Sequence, residues 1–512
     1  MINKIHIKYC LLALLVLVVL FSVTKYKAPN TKSDNQNKIS HHSATSLKSF
    51  FDDAYKESKP SQPDHSTIGI IVNHHLLAAH FIAESFGKIA TNKPVTVLLI
   101  SPNHFNTGSG AVTTSEATWQ TPYGVVDPDL ITIDKLAQNN IAKIEEDPFE
   151  QEHGISGILP FIKHALPNGK VIPLIVKEGL PIPDALEIAR QIQSALPADT
   201  LIVGSFDFSH YLTHRAGDFH DISSLNVLQN FKYEKIPRLD IDSHPGLAMF
   251  LKLLELDQAQ NFHLQEQSNS ALLARTDSIL ETTSYITGYF TKGMVNASPT
   301  VHTLLALGSI DASTKTMSSL DRHNSSFSIK FLERLFFGQE ISTAFIEPGQ
   351  KLERALNKLA INQPISSTRE VKFGNLRVGY ISPTSKEDTY SLAHETIDAG
   401  MDIVFVNTPV KQMEIYKNKF IFHGLGQLLT NETLIKSRTT NSLGIGLALV
   451  NNTLAMYILP IQVTDGIGKL LTSPADDIVL KDLSNKSKVS PDIKKQILSG
   501  VIKINLNDYG TK

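Results

Sequence analysis

Three histidines stand just past the ends of apolar runs, and that placement makes them candidates for chemistry. The run 201–204, Leu-Ile-Val-Gly, gives way to Ser205-Phe206-Asp207-Phe208-Ser209-His210. The run 68–72 ends in Asn73-His74-His75, and 95–100 ends in Ser101-Pro102-Asn103-His104. Short apolar runs closed in this way read as buried strands. In open α/β sheets, ligands gather beyond the carboxyl ends of such strands. Imidazoles delivered to one edge can hold a divalent ion while leaving positions for water or substrate, and thiolate-free imidazole sets suit iron, copper or zinc. Asp207, three residues before His210, is placed to orient an imidazole. Each histidine taken singly is equally a hydrogen-bonded loop residue, and periodicity alone leaves both readings open.

Composition bounds the donor set. The single cysteine, Cys10, lies in an N-terminal apolar run, so disulfides, cysteine zinc sites and thiolate catalysis are excluded for the folded part. With 48 basic and 50 acidic residues the net charge is −2, which offers no surface for nucleic acid. A chain of 512 residues exceeds one ordinary core, so two domains plus ends are expected.

The elements that must position the histidines follow from the pattern. Residues 1–27 read as an N-terminal signal anchor: Lys4 and Lys8 precede an apolar stretch at 10–23, and Lys25 and Lys27 follow it. That predicts a single-pass membrane protein with its bulk outside the cytoplasm. Residues 28–66, rich in Ser, Asn, Lys and Pro, read as a disordered linker with a short helix at 47–55. From 67 to 296 strands and helices alternate, with helices at 76–90, 129–136, 185–196 and 247–256 and strands at 171–176 and 284–290. A further helix opens at Glu150-Gln151-Glu152-His153-Gly154. The fold class is α/β, a mostly parallel sheet covered on both faces. A smaller α/β unit is expected over 300–473. It opens with a strand at 303–307, has a helical, polar stretch at 320–370, and adds strands at 376–381, 402–406, 418–423, 444–450 and 454–462. Residues 474–512 read as a peripheral tail.

The 67–292 region resembles the Memo family, specifically the bacterial AmmeMemoRadiSam system protein B. The resemblance is carried by VNHHLLAAHFIAESF, LLISPNHFNTGSG, WQTPYGVV, EQEHGISGILPFIKHALP, VIPLIV, GSFDFSHYLTH and SNSALL followed by TSYITGYF, in family order. It implies a class III extradiol dioxygenase-like fold and a cleft whose histidines bind iron or copper. Carried over by position, His74, His104 and His210 are the metal histidines, Asp207 stands beside them, and Glu152-His153 is an acid/base couple. His75 rivals His74, because Asn73 replaces a proline of the family. Gly154 replaces a serine. The segment 240–245, where some members have a cysteine, reads Asp-Ile-Asp-Ser-His-Pro.

The second unit resembles the CapA family of poly-γ-glutamate synthesis proteins, which have a metallophosphatase-like fold. The matching stretches are 304–309, 400–404 and 418–426. Ser309 replaces the metal-binding Asp, and Val406-Asn407-Thr408-Pro409-Val410 stands where a Gly-His-His-Pro-His motif belongs. Such replacements cannot hold a divalent ion, which makes this unit degenerate and non-catalytic. Two hypotheses follow for the first unit. One is a tethered metalloprotein with dioxygenase-like or metal-water hydrolase chemistry, Glu152 or His153 moving protons in the hydrolytic version. The other is a scaffold binding a peptide or small molecule.

Overall fold

The computed structural model describes residues 39–93, 95–295, 299–310, 334–346, 361–383, 388–429, 439–464 and 467–508. The expected anchor at 10–23 lies outside them. Among the described residues no helix is long and apolar enough to cross a membrane.

The first half is built on one large sheet whose centre is parallel. Lys170–Val176, Thr96–Pro102, Leu201–Ser205 and Thr67–Val72 lie side by side in that order, and Thr282–Thr291 joins antiparallel to Thr67–Val72. These strands are near-continuous runs of Ile, Val and Leu because helices cover both faces. Ile71, Leu98, Ile172 and Ile202 pack against the helices Ile182–Ala195 and His244–Leu256 on one face. Ile70, Val97, Leu99 and Val203 pack against Ala79–Gly87 and Leu159–Ala165 on the other.

Two expectations about the ends are corrected. Residues 39–66 are not a solvated linker throughout. Ser40–His42 pairs in parallel with Thr118–Thr121, and the helix Lys48–Glu57 seats Phe51, fully buried, against Phe161. Only one stripe of that helix is apolar, so its burial barely shows in composition. Residues 474–508, the described part of the expected 474–512 tail, are likewise packed. Helices Ala475–Lys486 and Pro491–Ser499 bury Leu480 and Ile497, and Val501–Asn505 pairs antiparallel with Thr453–Thr464. The charged residues that suggested a tail occupy the outer faces of these elements.

Among its described residues the second half carries an eight-stranded sheet, centred on Val301–Ile310, Thr440–Val450 and Thr453–Thr464, and a five-stranded sheet from Arg369–Phe373 to Met413–Tyr416. Within 320–370, expected to be helical, the described residues form the strands Ile341–Ile346, Gln363–Ile365 and the start of Arg369–Phe373, with a short 3₁₀ turn at Arg334–Phe336. The two halves share a core. The helix His214–Asn230 lays Ala216 and Phe219 among Leu305, Leu307 and Tyr457. Phe219 sits so close to Gly446 that a side chain there would meet its ring at 2.9 Å. Arg215, mostly buried, pairs with Asp476 and donates from Nε to the Ser499 carbonyl at 3.2 Å.

Candidate metal centre

The strand Thr67–Val72 ends in a polar step that turns His74 inward, where it is 3% exposed. Its Nδ1 lies 3.2 Å from the Ser205 hydroxyl, which in turn donates to the Gly154 carbonyl at 2.8 Å. Its Nε2 therefore faces Asp207 Oδ2 at 3.4 Å and Asp242 Oδ2 at 3.3 Å. His104, just past Thr96–Pro102, has its Nδ1 2.6 Å from Glu152 Oε1, and its backbone N–H donates to Glu152 Oε2 at 2.9 Å. With Nδ1 engaged, Nε2 is the free donor and lies 3.9 Å from Asp242 Oδ2. A carboxylate behind an imidazole in this way fixes the tautomer that ligates metal. His153 opens the short helix His153–Ser156, and its ring stacks on His104 at 4.1 Å. The ring nitrogens of His74, His104 and His153 supply ligand atoms within 4.8 Å of one another.

The structure sorts the expected residues. His74 joins the group and His75 does not, because His75 Nδ1 is held 2.6 Å from the Tyr285 hydroxyl. His210 also lies outside the group. Its backbone N–H donates to Asp240 Oδ2 at 3.2 Å, and the edge strand His210–Leu212 shifts register there, with Tyr211 at φ 57°. Its third place is taken by His153. Glu152 and His153, expected as an acid/base couple, lie side by side. His153 Nδ1 is 4.0 Å from Glu152, whose carboxylate is fully buried and serves His104 and the Gly154 N–H instead. In this packing a side chain at Gly154 would press on the Ser101 hydroxyl. Asp242 was visible in the sequence only as part of the segment lacking a cysteine. It sits one residue before Ser243, whose hydroxyl caps the helix His244–Leu256.

Burial governs the electrostatics. It holds His74 well below the usual histidine range, with the neighbouring His104, His153 and His210 adding to the effect. His153 is lowered to about 4, by burial first and then by His104. His210 is also lowered to about 4, again chiefly by burial. Such imidazoles are neutral at pH 7, the form that binds metal. Burial raises the Asp207 carboxyl to about 7, against the backbone N–H groups of His74 and His75. Asp242 is raised well above the carboxylate range by burial and then by Asp207. These two carboxyls, packed against one imidazole with no cation beside them, would both ionise readily only with added positive charge. The fully enclosed Asp242 Oδ1 has no hydrogen-bond partner, an orphan that a bound cation would satisfy. Three converging imidazoles and an orphaned carboxylate oxygen suit a divalent ion.

Residues 39–280 match the family model described as Memo-like protein. A MEMO1 family protein from Caldivirga maquilingensis is 29% identical over 167 residues, covering 31% of this chain and 56% of that protein. A MEMO1 family protein from Nitrosopumilus maritimus is 26% identical over 183 residues, covering 34% of this chain and 65% of that protein. The chain thus spans well under two thirds of the first of these relatives and just under two thirds of the second. Among solved structures, Vps29 from Chaetomium thermophilum aligns with 33% of this chain and 94% of its own at 11% identity and a TM-score of 0.23, a level from which nothing about fold or activity follows. The three histidines lie within residues 39–280, the stretch that is similar to the Memo-like family model.

Proposed function

We propose that the Memo-like part holds one divalent ion between His74, His104 and His153 and uses it for oxidoreductase chemistry on a small molecule or peptide in the cleft. The observation that carries this reading is the convergence of three imidazoles, with nitrogens within 4.8 Å, on buried carboxyl groups. Bound iron or copper would supply one-electron chemistry and affinity for dioxygen. The protein's own contribution is orientation. Glu152 fixes His104 through Nδ1, and Ser205 holds the same atom of His74. Asp207 accepts the His74 backbone N–H at 3.2 Å and holds its Oδ2 3.4 Å from His74 Nε2. His153 has half its side chain exposed and forms the solvent side of the group.

The remaining parts of the proposal rest on sequence. Residues 10–23 would tether the chain, leaving the folded part outside the cytoplasm, and protease added to spheroplasts should then digest it; complete protection would reverse the topology. The second half would be CapA-like and non-catalytic, with Ser309 and Asn407 where metal-binding residues belong. The central test is elemental analysis of the purified full chain. Near-stoichiometric iron or copper in the wild type, lost in His104→Ala, is expected. A wild-type protein that refuses Fe(II), copper and Zn(II) would overturn the proposal.

A further inference from the structure

We infer that Asp242 is a metal ligand, the carboxylate member of the donor set, and that Asp207 supports it from behind. The inference rests on the proposed histidine metal site and deepens it. Asp242 Oδ2 is 3.3 Å from His74 Nε2 and 3.9 Å from His104 Nε2. Donor atoms bound at about 2.1 Å in a tetrahedral arrangement lie roughly 3.4 Å apart, so these separations suit shared coordination. Asp207 approaches only His74 Nε2. One of its oxygens, Oδ1, already accepts the His74 backbone N–H at 3.2 Å, and its own N–H donates to Asp242 Oδ2 at 2.8 Å. Asp207 thereby aims Asp242, whose Oδ1 is buried without a partner. Only 6% of the Asp242 side chain is exposed, so a cation is the natural counterpart for its charge. A set of imidazoles and a carboxylate, without sulfur, favours Fe(II), Mn(II) or Zn(II) over Cu(I).

The test uses the full chain, stripped with chelator and titrated with Co(II), Fe(II) and Cu(I). Asp242→Asn should weaken Co(II) binding by more than about 10-fold and alter its visible absorption, beyond the loss expected of an orienting residue. Asp242→Cys should produce a sulfur-to-cobalt charge-transfer band and shift preference toward Cu(I). If Asp242→Asn binds Co(II) as the wild type does while His104→Ala does not, Asp242 is no ligand and the histidine site stands. If the wild type binds no metal, both readings fall. Should Asp242→Asn misfold by circular dichroism, the band in Asp242→Cys decides: present, it supports ligation; absent in a folded protein, it overturns it.

Discussion

Among the described residues histidines meet a buried carboxylate in several places, and two of these clusters are arranged in opposite ways. In the first half, Glu152 takes Nδ1 of His104 and leaves Nε2 directed toward Asp242. In the second half, Glu414 takes Nε2 of both His423, at 2.7 Å, and His394, at 3.0 Å. Those two rings are further committed to stacking, His423 on Tyr390 at 4.1 Å and His394 on Tyr416 at 3.9 Å. One carboxylate orients an imidazole in the first cluster, whereas in the second it occupies two. Among the described residues only the first qualifies as a group of three metal donors. His423 Nδ1 is also left without a partner, so what marks the first cluster is that donor atoms from three histidines converge there, which the tally of histidines alone does not reveal.

The largest expected effect breaks this comparison directly. His74→Ala removes a donor and should take metal content from near one per chain to near zero. His423→Ala should leave it unchanged while lowering thermal stability. Elemental analysis and a melting curve on each variant check both. Metal loss in His423→Ala would mean that the second cluster also binds an ion.

A smaller effect sharpens the distinction between a ligand and the group that orients it. Glu152→Gln keeps the shape of the side chain but loses the charge behind His104 Nδ1. Affinity should fall by about 10–100-fold, the usual cost of losing such a partner, without abolishing binding. Calorimetric titration beside His104→Ala measures it, and equal losses in the two variants would contradict the orienting role.

How far the sequence anticipates these two clusters follows from where their partners lie. The parallel strands and the inward turn of His74 and His104 are legible because each depends on a contiguous apolar run. His153 was legible as chemistry but not as a donor, since its neighbour Glu152 is aimed at His104, 48 residues away. Asp242 meets His74 across an interval of 168 residues, from 74 to 242, which no local spacing encodes. The helix Lys48–Glu57 escaped notice as part of the core because only Phe51 and Ala54 of its residues are buried. His210 sits on an edge strand, yet the register shift beside it, made by Tyr211 in the left-handed region, appears only in the pairing with Thr282–Thr291.

The smallest expected effect concerns pH, and it contrasts a twice-paired carboxylate with one that lacks a close cation. Burial would raise the Glu414 carboxyl, but hydrogen bonds from His423 and His394 outweigh it and lower it below its ordinary 4.5. That group therefore adds stability above the ordinary value and loses it as pH falls through the lowered one. Asp218, on the helix joining the two halves, is raised from 3.8 to about 6, chiefly by burial, with only a side-chain hydrogen bond from Asn269 and the more distant Lys503 and Arg215 opposing. Here the native state keeps a proton that the unfolded chain has released, so stability falls as pH rises from 3.8 to about 6 and stays reduced above. The shift corresponds to about 3 kcal/mol, and because unfolding entropy grows with chain length, it moves the Tm of so large a unit by only about 3 °C. Asp218→Asn retains an acceptor for Asn269 and removes the charge. Its Tm should exceed that of the wild type by this amount at pH 7.5 and match it near pH 4. Glu414→Gln should show the reverse, a loss at pH 7.5 that shrinks in acid. Parallel pH profiles for the two variants would show that pairing does not set the sign.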